Sequence, residues 1–332
     1  MRYLKLKCLL VALLSSAAVT SPALVTRRAI AEAVRTNTEA DNPNFQIHAG
    51  WQPLFNGRDL SGWYTFLQKH GRNSDPDRLI AIEDGTIHLY RDVPTGSEVV
   101  QGYIATEKPY GNYHLRLQYR WGEKKFQPRA ALPRDAGLYY HLIGDDAVWP
   151  MGLQYQIQED NTGDLLALFG LQADSWIDPT IKDIEPHTFQ DAKLGGVPVV
   201  FGGSGIAYQT RGIMNEMLGW NTLELIARGT SVTHILNGKT VNRCENVRIV
   251  DAKDPTKSSP LTEGRIALEI EAAVIWYRNI ESKQLDGEPS PDQAPAKQPN
   301  TAMDLRVGAS AVDLRSDGTK VIAGGIEPHY AA

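Results

Sequence analysis

Cysteine is nearly absent: the 332 residues hold two, Cys8 and Cys244. That count excludes a disulfide-stapled fold and a cysteine-rich zinc site. Positive charge is not in excess either, with 34 Lys and Arg against 39 Asp and Glu and a formal net charge of -5. A nucleic-acid partner would need a basic footprint, so none is expected. Beyond the first residues, no stretch approaches the roughly 20 consecutive apolar residues of a membrane helix, and no membrane span is expected. The eight histidines are scattered, and no His-Glu-x-x-His, Gly-x-Ser-x-Gly or phosphate-cradling glycine loop occurs. Zinc-peptidase, serine-hydrolase and phosphoryl-transfer chemistry therefore lack their usual residues.

The start of the chain has Arg2, Lys5 and Lys7, then an apolar run from Cys8 to Leu14 and the small-residue stretch "SSAAVTSPA". Residues 1–23 read as a signal peptide, which implies a periplasmic or secreted protein. Lys7 directly before Cys8 argues against a lipid-bearing cysteine. Cleavage removes three positive charges and no negative ones, so the net charge moves from -5 to -8. Cys244 is then left alone, and the mature fold must rest on its own core.

Residues 24–49 form an arm, in which "RRAIAEAVRTNTEA" could be a short helix or flexible. From Gly50 the pattern becomes short runs rich in β-branched and aromatic residues, broken by Gly, Asn, Asp and Pro. Such runs are "LIAIEDGTIHLY", "YHLRLQYRW", "GLYYHLI", "LQYQIQ", "NTLELIARG", "SVTHILNGKTV", "GRIALEI" and "VIWYRNI". Asn237-Gly238 and Asp84-Gly85 are hairpin signals. Residues 50–282 are thus expected to form one all-β sandwich. Residues 165–218, with "GGVPVVFGGSG", look irregular and are expected to be an extended loop region. Residues 283–332 are a Pro/Gln-rich linker and tail with little expected structure.

The stretch "WPMGLQYQIQEDNTGD" has glutamine at every second position, Gln154, Gln156 and Gln158, between Leu153, Tyr155 and Ile157. On a strand the apolar set would enter the core and the glutamines would form one row on the other face. That row is either a solvated face or a ligand-facing one. Nearby stand Tyr139, His141, Trp149, Glu159 and Asp164, and amides, carboxylates and an aromatic plate suit a sugar ring. His88, His114 and His234 lie in strand-like runs and read as core histidines. Trp51, Trp63, Trp121, Trp220 and Trp276 read as packing residues, whereas Trp149 stands in a loop leading to the glutamines.

The segments "GWQPLFNGRDLSGWYTF", "EDGTIHL", "NYHLRLQYRWGEKK", "RDAGLYYHLIGDDAVWPMGLQYQIQEDNTGD", "GWNTLELIARGTSVTHILNGKTVNR" and "PLTEGRIALEIEAAVIWYRNIE" together resemble the 3-keto-disaccharide hydrolase family, in order from Gly50 to Glu281. The resemblance implies a concanavalin A-like jelly-roll sandwich that cleaves glycosides whose sugar carries a ketone at C3. The ketone acidifies the C2 proton, so one base can remove it and expel the C1 substituent by β-elimination, after which water adds back. By position the resemblance places His141 and Tyr139 at the site, with Gln156, Gln158, Glu159 and Glu271. His234 matches a frequent family histidine.

In the family pattern the position of Gln154 is often Glu, and that of Glu159 often Asp. The expected site therefore has Glu159 or His141 as base, with Gln154, Gln156, Gln158, Tyr139, Trp149, Asp164 and Glu271 holding the sugar. The residues identify no certain cofactor; a divalent metal ion is one candidate for stabilising the enolate, besides a protein donor. An enzyme that oxidises glycosides at C3 is the expected functional link. The alternative is a carbohydrate-binding protein on the same fold, which the neutral Gln154 favours. A laminarinase-type hydrolase would need two Glu on one strand, and the glutamine strand has no such pair.

Overall fold

The computed structural model describes residues 48, 50–181, 187–203 and 207–285 and the backbone of two short strands in the tail. The signal peptide, almost all of the N-terminal arm and most of the tail lie outside the described residues. Two antiparallel sheets pack face to face. The back sheet runs through Val197–Gly202, Leu171–Ile177, Lys239–Val250, Ser231–Leu236, Asn221–Arg228, Tyr113–Lys125, Ala273–Gln284, Thr86–Leu89 and Ile80–Glu83. The front sheet runs through Ala207–Thr210, Leu165–Leu168, Met151–Gln158, Asp135–Ile143, Glu263–Ile270, Gly102–Thr106, Trp63–Leu67 and Gly71–Arg72. This is the sandwich expected from the strand pattern, with the jelly-roll fold that the resemblance implied.

Alternation builds the core. Leu115, Leu117 and Tyr119 of the back sheet meet Leu138, Tyr140, Leu153, Tyr155 and Ile157 of the front sheet, all fully buried. Each such side chain contributes about 1.5–3 kcal/mol on burial. Both hairpin signals hold: Asp84-Gly85 (φ 46° and 72°) and Asn237-Gly238 (φ 50° and 77°) take the doubly positive φ of a two-residue turn.

Residues 165–218 differ from the expected loop, for they contain four strands: Leu165–Leu168, Leu171–Ile177, Val197–Gly202 and Ala207–Thr210. Leu171–Ile177 alternates buried and half-buried residues along its whole length, so the signal was present. Val197–Gly202 is an edge strand, which tolerates Pro198 because one side needs no ladder donor. In the tail, Val312–Leu314 pairs with Lys320–Ile322. Among the described residues no helix is long and apolar enough to cross a membrane.

Candidate functional site

The outward-facing side chains of the front sheet fall into rows set by the strand register. One row crosses Tyr64, Ala105, Ala267, Tyr139, Gln154 and Leu166; the next crosses Phe66, Tyr103, Glu269, Gly137 and Gln156. Gln158 stands opposite Asp135 on the same face, and Glu271 follows Glu269 by two residues. The glutamine row is therefore on the outer face, as its spacing required. It is not exposed: Gln154, Gln156 and Gln158 are each 1% exposed or less. A solvated face is ruled out by that burial.

What replaces water is a polar network. Asp135 accepts from Gln156 (2.9 Å), from Gln158 and from the guanidinium of Arg129. Gln154 donates to Gln156 and to Glu269 at 2.9 Å, and Tyr139 donates to the other Glu269 oxygen. Arg129 also forms an ion pair with Glu271, at 3.2 Å. Three carboxylates, Asp135, Glu269 and Glu271, thus share one buried region with a guanidinium that is itself 2% exposed. Gly137 makes this possible. A Cβ there would lie 2.5 Å from Gln154 Nε2 and 2.6 Å from Glu269 Oε2.

Burial penalises the charged form of each acid, and mutual repulsion adds to it. Burial, and then the charge of Glu271, push Asp135 and Glu269 well above the usual carboxylate range. Burial also raises Glu271, but the Arg129 guanidinium opposes the rise and leaves it at about 7. A carboxyl raised to about 7 beside two acids that burial raises as well has the profile of an acid-base group.

A divalent ion does not fit this donor set. The oxygens of Asp135 and Glu269 are taken by Arg129, the glutamines and Tyr139, and among the described residues no group of three His, Cys, Asp or Glu is disposed to hold a metal. The positive charge at the network is a guanidinium.

The other expected site residues are distributed as follows. His141 does not share the glutamine face. A positive φ of 52° at a register shift turns it inward, where it is fully buried beside Tyr113 and Tyr140 with neither ring nitrogen bonded, and burial lowers it to about 4. His234 also lies in the core, stacked on Tyr155 at 3.9 Å, and burial lowers it to about 3. Asp164 is buried and accepts from the Gly212 amide. Trp149 is half-buried in the loop ahead of the glutamine strand.

Glu159 stands just beyond that strand, in a separate cavity of about 260 Å³ with Trp121, Arg134, Asn215, Glu216 and Met217. Its bonds to Arg134 (2.7 and 3.2 Å) hold it below the usual range. Gln158 and Thr162 join the two regions, because Asn161 donates to the Gln158 side chain and Thr162 to both the Gln158 carbonyl and Glu216.

Of the expected residues, Gln154, Gln156, Gln158, Tyr139 and Glu271 converge. Arg129, Asp135 and Glu269 were not anticipated. Counting by two would have found the acids: Asp135 precedes Gly137 and Tyr139 by two and four, and Glu269 precedes Glu271 by two. Arg129 lies in a loop, and no periodicity points to it.

The family described as the 3-keto-alpha-glucoside-1,2-lyase-like domain matches residues 50–283. The chain belongs to that family. Its function is accordingly carbohydrate-related, and the family is one of carbohydrate-acting enzymes. No curated protein matches the chain in sequence. Among solved structures, a candidate glycosyl hydrolase from Parabacteroides distasonis is similar at 19% identity and a TM-score of 0.43, over 73% of this chain and 99% of that one. A carbohydrate-binding module from Bacillus subtilis is similar at 11% identity and a TM-score of 0.33, over 67% of this chain and 96% of the module.

Proposed function

We propose that the protein is an exported enzyme that cleaves 3-keto-glycosides, with Glu271 as the base. The observation that carries this reading is the placement of Glu271: a carboxyl raised to about 7 and ion-paired at 3.2 Å with the Arg129 guanidinium. Near neutral pH half of the molecules carry the ionised form, the condition a general base needs.

The ketone at C3 makes the C2 proton acidic. Glu271 takes that proton; the C2–H electron pair forms the C1=C2 bond as the C1–O bond breaks, and the leaving oxygen takes a proton from Glu269, whose protonated form burial favours. Arg129 stabilises the negative charge that gathers on the ketone oxygen as the proton leaves. The glutamines and Tyr139 fix the sugar hydroxyls, and water then adds across the double bond to complete hydrolysis. Glu271 is 2% exposed, so the face must open for substrate to reach it. Residues 1–23 would direct export, and a C3-oxidising enzyme would supply the substrate.

Incubating the protein with a 3-keto-glucoside tests this, with aglycone release lost in Glu271→Gln. Retention of release in that variant would reject Glu271 as base. The reading as a binding protein draws support from the open cavity at Glu159, with Trp121 as an aromatic wall; saturable sugar binding without release would favour it.

A further inference from the structure

The outer face of the back sheet carries two arginines that no acid among the described residues answers. Arg120, on Tyr113–Lys125, stands directly opposite Trp276 on Ala273–Gln284, and Trp276 stands opposite His88. Trp220 lies just ahead of Asn221–Arg228, on the other side of Arg120. The Arg120 guanidinium is 5.0 Å from the Trp220 ring and 4.4 Å from the Trp276 ring. Arg278 is 3.9 Å from the Trp220 ring. Gly122 leaves the space Trp276 needs, since a Cβ there would be 2.9 Å from the indole.

Several other arginines of the described residues find carboxylates. Arg116, two pleats from Arg120 along the same face, pairs with Glu281 at 2.6 Å; Arg134 pairs with Glu159 and Arg248 with Asp174. Arg278 bonds only the Gln118 amide oxygen, at 2.9 Å. Among the described residues Arg120 finds no hydrogen-bond or ion-pair partner, and its Nε is buried without one. Burial and the nearby Arg120 charge lower Arg278, so repulsion between the two is not relieved. In a chain with more acids than bases, two adjacent guanidiniums left unanswered between two tryptophans call for an external anion.

We propose that Arg120 and Arg278, framed by Trp220 and Trp276, bind the oxyanion group of a carboxylate- or sulfate-bearing ligand on the face opposite the glutamine network. Stacking occupies the flat side of a guanidinium and leaves its N–H edge for an acceptor. Two such edges match the paired oxygens of a carboxylate or sulfate. The tryptophans hold the arginines in place, which lowers the ordering cost of binding.

The test is a titration of the full chain, by tryptophan fluorescence at fixed ionic strength, with glucuronate, inorganic sulfate and glucose. Saturable binding of glucuronate or sulfate but not glucose, weakened about ten-fold or more in Arg120→Gln and in Arg278→Gln, is the expected result. Glucuronate alone would assign a carboxylate ligand; both anions would assign a general oxyanion site. Binding of neither anion, equal binding of glucose, or undiminished anion binding in both variants would overturn the proposal. Aglycone release from a 3-keto-glucoside should be unchanged in both variants, which separates this site from the proposed base.

Discussion

Gln154 Nε2 and Glu269 Oε2 meet at 2.9 Å across the space above Gly137, the one outward position between them that carries no side chain. The bond joins two strands that are not neighbours, since Asp135–Ile143 runs between them. It also supplies a carboxylate directly against Gln154.

Gly137→Ala should break this arrangement. The new methyl would sit 2.5 Å from Gln154 Nε2, and overpacking of that kind costs about 1–3 kcal/mol. A urea midpoint equal to that of the parent would show that the network tolerates the methyl.

Glu271→Gln keeps the shape and removes the base. Turnover of a 3-keto-glucoside should fall by about 100-fold or more, while Glu159→Gln, which breaks an ion pair with Arg134, should retain most of it. The opposite ranking in initial-rate measurements would return the base to Glu159.

The pH dependence follows from Glu271. Rates should climb as pH rises through about 7, because the ionised form is the active one. Stability should move the other way. A carboxyl raised from 4.5 to about 7 binds its proton more tightly when folded, so its contribution is full below pH 4.5 and is lost as pH rises through 7. The loss amounts to about 3 kcal/mol at one pKa unit per 1.36 kcal/mol. The acids held low by partners, such as Glu159 and Glu224, titrate below this window. Urea unfolding at pH 5 and pH 8 should show the decline, and Glu271→Gln should reduce it, Asp135 and Glu269 being raised by burial as well.

Arg129→Gln removes the guanidinium that Asp135 and Glu271 face. Breaking a buried pair from one side costs about 3–5 kcal/mol. A loss below 1 kcal/mol in chemical denaturation would mean that the carboxylates are neutral without it.

The strands were legible because period-two alternation and turn residues such as Asn237-Gly238 act locally. Residues 165–218 read as a loop because glycine and proline mark an edge strand as readily as a loop. The glutamine face was legible from spacing, but not its burial, which depends on what packs over it. His141 belongs to the same alternating run as Tyr139, yet a positive φ turns it to the other side; a register shift of this kind leaves no trace in the residue pattern. Arg129 reaches the site from a loop, through a long side chain that no period describes.

The most direct measurement is aglycone release from a 3-keto-glucoside and from its unoxidised parent, side by side, by the full protein and by Glu271→Gln. Elimination from C2 predicts release from the keto sugar alone, and its loss in the variant. Release from the parent sugar as well, or undiminished release by the variant, would contradict it.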